Sequence, residues 1–257
     1  MNFFKKNLFF IIIIIFLVYN SSFSSNINET LETKTEDTSQ DRDEIDESQI
    51  AKNYFKDVKI GDIISFGKFY DYVDDENIEK RPIDWKVLDQ IEDFSLLISK
   101  DILKTMPYNY SWSPINWKDS SIRLWLNYDF YDIAFNDEEK RLIKRITTVN
   151  IGNEAYNVKD IFQTKDYIFL LSIEEAKKYH SSDKDFMVKG TKYAIKEGLW
   201  ISRYISSNGY SVWWLRSPGK SLSSAAIIHA AGSIGTGGDG VATRGNGVRP
   251  CMWVKTK

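Results

Sequence analysis

Apolar residues in this chain cluster into short runs, and no single period holds across its length. The two densest runs lie near the end. One reads Val212–Trp213–Trp214–Leu215 and breaks at Arg216, Pro218 and Gly219; the other joins Val248 to Met252–Trp253–Val254 across Arg249 and Pro250. Their β-branched and aromatic residues suit a pleated, covered surface, so both are predicted as buried strands. A third run, Ala225–Ala226–Ile227–Ile228–His229, lies between them and leads into a stretch from Gly232 to Gly247 that is predicted to be a loop. Nine of the fourteen glycines fall between Gly209 and Gly247, which marks turns or close backbone approach there.

Upstream the pattern predicts a mixed set of elements. Ile60–Phe66 reads as a strand, Asp71–Lys80 as a charged loop, and Ile83–Leu88 with Ser95–Ser99 as a β-hairpin. Thr105–Lys118 is a Pro- and aromatic-rich loop with Tyr108, Tyr110, Trp112 and Trp117. Ser120 or Ser121 caps a helix that turns Trp125 inward. Asn136 caps the next, and Glu139 has the spacing of a capping box. Leu142, Ile143 and Ile146 are expected to form that helix's apolar stripe. Thr147–Thr164 reads as irregular, Tyr167–Leu171 as a buried strand, and Ser172 with Glu175 as a second capping box for a helix ending near Tyr179. A short helix is expected within Gly190–Glu197, stopped by Gly198. Strands, then helices, then strands imply an α+β domain with a mainly antiparallel sheet and a few covering helices.

The N-terminal segment follows other rules. Lys5 and Lys6 precede an unbroken apolar core, Leu8–Val18, and Ser22–Phe23–Ser24 offers small residues for cleavage after Ser24. Residues 1–24 are therefore expected to be a secretory signal; an uncleaved membrane anchor is the alternative, although the run is shorter than a span needs. Residues 25–52 are expected to be a disordered acidic stalk, because residues 26–52 hold nine acids against Lys34, Arg42 and Lys52, with no aromatic residue. The globular domain is expected over residues 53–257.

Composition narrows the chemistry. All eight Trp lie between Trp85 and Trp253, so the core is built there. The net charge of -2 offers no dense basic face, and nucleic acid is not an expected partner. The single cysteine, Cys251, cannot form an internal disulfide and reads as a buried, inert thiol. His180 and His229 are too few for a multi-histidine metal centre, and no cofactor is expected. The glycines at 235, 237, 238 and 240 precede no helix pattern that would make a phosphate cradle. No Gly-x-Ser-x-Gly elbow is present.

Four ordered motifs carry a resemblance. Ser120–Ser121–Ile122–Arg123–Leu124–Trp125–Leu126–Asn127, with Phe130–Tyr131, Ala134–Phe135 and Glu139, is the first. Ile168–Ser172 with Glu175–Ala176 and Tyr179 is the second. Trp213–Gly219 and Gly247–Pro250 are the third and fourth. Over roughly Lys59–Lys257 the chain resembles a bacterial family catalogued as the domain of unknown function 6273. Cys251 stands where that family usually has Ala. The resemblance implies a compact domain of secreted or surface proteins with no established activity. The Trp–Leu–Arg–Ser and Gly–Val–Arg–Pro ends also resemble the closing strands of C-type-lectin-like folds, including formylglycine-generating enzymes. This chain lacks the cysteine pair of those enzymes and the histidine-rich site of the related sulfoxide synthases.

Two sets of residues follow. Arg123, Trp125, Trp214, Arg216, Arg249 and Trp253 are expected to be structural, the arginines bridging to carboxylates or carbonyls because a lone buried charge is costly. His229, Asp239, Arg244 and Asn246 on the glycine-rich loop, with Trp213 as a stacking ring, are the candidate ligand-binding residues. The expectation is an exported, non-catalytic, lectin-like module of the cell envelope or exterior, with a glycan or protein ligand and membrane contact only through an uncleaved N-terminal segment. The alternatives are an envelope enzyme acting on glycans or proteins, and a structural envelope component.

Overall fold

Trp85 and Phe66 show how the first sheet is built. The Trp85 indole is fully buried and donates its Nε1–H to the Phe66 carbonyl at 2.7 Å, tying two neighbouring strands. The computed structural model describes residues 46–257. The expected signal sequence and the expected stalk up to residue 45 lie outside the described residues.

Helix α1 (Glu47–Tyr54) comes first, capped by Asp46, whose carboxylate accepts from the Ser48 amide. Ile50 and Ala51 are buried, and Tyr54 and Phe55 pack on Phe66. The described domain therefore begins seven residues before the predicted residue 53, because Ile50 with Tyr54 and Ala51 with Phe55, each four residues apart, give an otherwise charged turn an apolar face to dock. Residues from Ile45 onward form one compact unit with a continuous core. Among the described residues no helix is long and apolar enough to cross a membrane.

The chain continues through β1 (Ile63–Tyr72), β2 (Ile78–Ile91), β3 (Phe94–Ser99) and the short β4 (Lys104–Thr105). The predicted hairpin is present as β2–β3, but β1 runs longer than expected and shortens the charged loop to a tight turn. Asp74 closes that turn by accepting from the amides of Glu76 and Asn77 and from the Asn77 side chain.

Ser120 caps α2 (Ser121–Trp125), which runs through a wider π turn at Leu126–Phe130 into α3 (Tyr131–Ala134). The Asn136–Glu139 capping box starts α4 (Asp137–Leu142) as predicted. The expected stripe stops short: Ile143 belongs to β5 (Ile143–Lys144) and Ile146 opens β6 (Ile146–Asn150). β6 pairs with β7 (Phe162–Asp166) in an antiparallel arm where irregular chain was predicted. The predicted strand Tyr167–Leu171 is not formed: the chain bends at Tyr167–Ile168, Ile168–Leu171 are buried, and the segment makes an isolated bridge at Phe169, which exchanges backbone bonds with Cys251.

The second capping box, Ser172 with Glu175, starts α5 (Ile173–Tyr179). Short helices α6 (Asp183–Phe186) and α7 (Lys192–Lys196) follow. The last part holds β8 (Trp213–Pro218), β9 (Ser224–Ile228), β10 (Ile234–Gly240), β11 (Gly247–Val248) and β12 (Cys251–Lys255). β12 inserts between β3 and β5 in one five-stranded sheet. The other has the order β10–β9–β8–β11–β4, leaving β10 at its edge. Pairing is antiparallel apart from β11 with β8, so the fold is α+β with mainly antiparallel sheets.

Candidate functional site: an edge strand of glycine and the cleft beside it

The site rests on a frame of three arginines. Arg216, buried in β8, pairs with both carboxylate oxygens of Glu175, with Nη2 2.9 Å from Oε1. It also donates to the Leu170 carbonyl at 2.7 Å and to Asn150 Oδ1 at 3.2 Å. Burial alone pushes the Glu175 carboxyl up, but the charge and hydrogen bonds of Arg216 and the bonds from Ser172 outweigh it and hold it below the usual carboxylate range.

Arg123 Nε reaches Asp166 Oδ1 at 2.6 Å, and Trp117, Thr148 and Thr164 donate to the other Asp166 oxygen. Arg249 has no carboxylate partner: its Nε donates to the Ser99 carbonyl at 2.7 Å and its guanidinium lies 5.0 Å from the Trp213 ring centroid. Its Nη1 has no hydrogen-bond partner among the described residues, and burial pulls its pKa down to about 10.

These ties seat the arm with its polar face inward. Thr148, Asn150, Thr164 and Asp166 are buried, while Val149 and Ile151 face outward. The outward face, the start of α5, Ser217 and Thr236 enclose a cleft of about 480 Å³. Val149, Ile151, Ala155 and Ile173 give it an apolar lining; Glu154, Glu174 and Lys177 supply charge. Lys177 and Glu174 pair at 2.9 Å. Asn153 holds the cleft to the sheet: its buried side-chain amide donates to the carbonyls of Thr236 at 2.7 Å, Gly219 at 3.0 Å and Pro218 at 3.1 Å.

Thr236 lies on β10, which the sequence reading assigned to a loop. Its pairing with β9 slips between Gly235 and Asp239, so the strand bulges there. Ring side chains from three segments lie against its glycines. A Cβ on Gly235 would stand 2.7 Å from His229 Nε2, one on Gly237 2.9 Å from the Tyr156 hydroxyl, and one on Gly240 2.4 Å from the Trp112 ring. Gly238 at φ 66° carries the bulge. The rings stay open to solvent: Trp112 is 66% exposed, Tyr156 47%, and His229 is also exposed. Along β10 the carbonyls of Thr236, Gly237 and Gly240 already accept from the Asn153 side chain and from the amides of Lys220 and Thr243, so this surface is chiefly one of aromatic faces beside a partly satisfied strand edge.

The five predicted ligand residues are dispersed. His229 directly follows β9, with its ring against Gly235 of the glycine strand. Asp239 accepts from the Asn246 side chain at 2.9 Å, and Asn246 is buried, so this pair ties the strand to the following turn. Arg244 is exposed on that turn, next to Gly245, whose carbonyl accepts from the Trp200 amide. Trp213 is fully buried, donates to the Phe186 carbonyl and carries Arg249 on its face; it cannot stack on a ligand. Trp214 is also buried and donates to the Met106 carbonyl. Trp125 and Trp253 pack against the core as expected.

Trp112, Tyr156 and Asn153 were not singled out in the sequence. The aromatic loop around Trp112 and the glycine density were visible separately, and only the fold joins them. Cys251 is buried, and burial pushes its thiol far above the range of a nucleophile. Among the described residues no group of His, Cys, Asp or Glu is arranged to hold a metal ion.

Residues 92–256 match the family described as a domain of unknown function, DUF6273. No curated protein and no solved structure matches the chain.

Proposed function

The chain belongs to the DUF6273 family, and from that premise we propose that it is a non-catalytic, lectin-like binding module that takes a carbohydrate chain along β10. The observation that carries this reading is the row of exposed rings, His229, Tyr156 and Trp112, laid on the glycines of the edge strand β10. Sugar rings present apolar C–H faces that stack on aromatic side chains, and the Tyr156 hydroxyl and the His229 ring nitrogens supply polar partners for their hydroxyls. The neighbouring cleft, with apolar walls and a few polar groups, has the size and make-up of a small-ligand site and accommodates a ring substituent. The basic start and apolar run Leu8–Val18 support export, so the ligand belongs to the envelope or the exterior. The C-type-lectin-like reading of the terminal strands is part of this proposal.

The test is a titration against envelope and mucin glycans, peptidoglycan fragments among them, followed by intrinsic Trp fluorescence. Saturable quenching by one carbohydrate class supports the reading. Turnover of any of them by the pure protein replaces it with an enzymatic one, and silence across the panel moves the function to a protein partner or a structural role.

A further inference from the structure

A second surface stands apart from β10. After α7 the chain makes a small loop, Trp200–Gly209, whose tip displays apolar residues outward. Ile205 is 101% exposed, and Tyr204 and Trp200 beside it are also exposed. Leu199, Trp200, Ile201, Arg203 and Tyr204 border an open recess of about 700 Å³.

The display is held in place from beneath. Ser202 and Ser207 are buried and share a hydroxyl–hydroxyl bond of 2.7 Å. The Ser202 amide donates to the Tyr210 carbonyl, and the amides of Gly209 and Ser207 donate to the carbonyls of Ser202 and Tyr204. A loop pinned this way cannot fold its Ile and Tyr back onto the domain. Trp200, Tyr204 and Ile205 exposed together on one loop form an apolar display of the kind that marks an interaction surface, which a lone exposed isoleucine does not.

Along the chain, the charges that follow Glu197 through the loop have one sign. From Gly198 to Gly238 there is no Asp or Glu. Arg203 is at the tip, Arg244 follows on the turn bonded to Trp200, and Lys189 lies over the Tyr210 ring at 5.4 Å. Glu197, just before this stretch, is the nearest acid in sequence. An aliphatic tip with Trp and Tyr at its shoulders and arginine at its side matches the depth profile of a bilayer interface: acyl boundary, amphipathic rings, anionic headgroups.

We propose that the Trp200–Gly209 loop is a peripheral membrane anchor, seating Tyr204 and Ile205 in the interface of an anionic lipid bilayer with Arg203 at the phosphates. The sequence reading allowed membrane contact only through the N-terminal segment; this loop adds a contact within the folded domain. It is independent of the carbohydrate reading, because no residue of the β10 surface takes part.

The experiment uses residues 45–257, which carry the whole described core, so that the apolar N-terminal run cannot bind lipid on its own. Co-sedimentation is measured with vesicles of phosphatidylglycerol and phosphatidylcholine in equal parts, and with phosphatidylcholine alone. The anchor predicts binding to the anionic vesicles that weakens with salt, and a loss of about tenfold or more in the Y204S/I205S double variant with unchanged melting temperature. R203E weakens binding to anionic vesicles and leaves the melting temperature in place. Wild-type protein that stays in the supernatant, or a double variant that sediments equally well, overturns the proposal. Carbohydrate titration of the same double variant keeps the two readings apart, since it is expected to be unchanged.

Discussion

Glu175 and Arg216 are joined through both oxygens of the Glu175 carboxylate, and the same carboxylate caps its own helix at the Ser172 amide at 2.8 Å. One side chain thus fixes the start of α5 and neutralises a cation buried in β8. Removing it leaves the Arg216 guanidinium buried with only neutral acceptors.

Glu175→Ala is therefore expected to cost about 3 kcal/mol, the low end for a broken buried pair, because the Glu175 side chain is 32% exposed. Chemical denaturation compared with wild type measures it. An unchanged midpoint contradicts the assignment.

The same pair makes stability fall in acid. The folded carboxyl lies below its unfolded value, so the contribution is complete above about pH 4.3, the ordinary glutamate value, and is lost as pH drops through the folded pKa. Denaturant midpoints recorded from pH 7 to pH 3 should show this fall, and Glu175→Gln should flatten it.

Asn153 and the bulge of β10 set the shape of the cleft. Asn153→Ala leaves the carbonyls of Thr236, Gly219 and Pro218 without that donor and should cost about 1–3 kcal/mol. Gly238→Ala combines a left-handed backbone with a Cβ placed 2.0 Å from the Ala225 carbonyl oxygen and should cost about 2 kcal/mol or more. Gly61→Ala is the control: φ is also positive, but a Cβ there meets nothing within 4 Å, so only the backbone cost of about 1 kcal/mol applies. Equal losses at the two glycines, read by thermal melts, would show that the close approach at Gly238 is not rigid.

Cys251 should be silent toward an exposed-thiol reagent in the native protein and react fully after denaturation. It is buried in β12 with its thiol pushed up, so access requires opening of the sheet. Labelling faster than unfolding would place the thiol nearer the surface than the structure does.

What could be read from the chain was what depends on near neighbours. The boxes Asn136–Glu139 and Ser172–Glu175 are complete within four residues, and both helices start there. Arg216 and Arg249 were legible as structural because a charge amid Trp and Val must be satisfied. The β6–β7 arm was not legible: its buried residues are Thr148, Asn150, Thr164 and Asp166, so the usual alternation is inverted and looks irregular. β10 was hidden for another reason, since glycine carries no strand signal. Of the candidate surface, His229 was named from its place before the glycines. Trp112 and Tyr156 were missed because their contact with β10 exists only once distant segments meet. Trp213 was misread because both faces of β8 are covered, and alternation then no longer separates inside from outside.

The central claim rests on rings presented for stacking, and calorimetric titration of the selected carbohydrate into wild-type, Trp112→Ala and Tyr156→Ala protein tests it most directly. The account predicts that each substitution weakens binding roughly two- to tenfold, as lost ring stacking does, with melting temperatures within about a degree or two of wild type because both side chains are exposed. Affinity that survives both substitutions would contradict a carbohydrate site on β10.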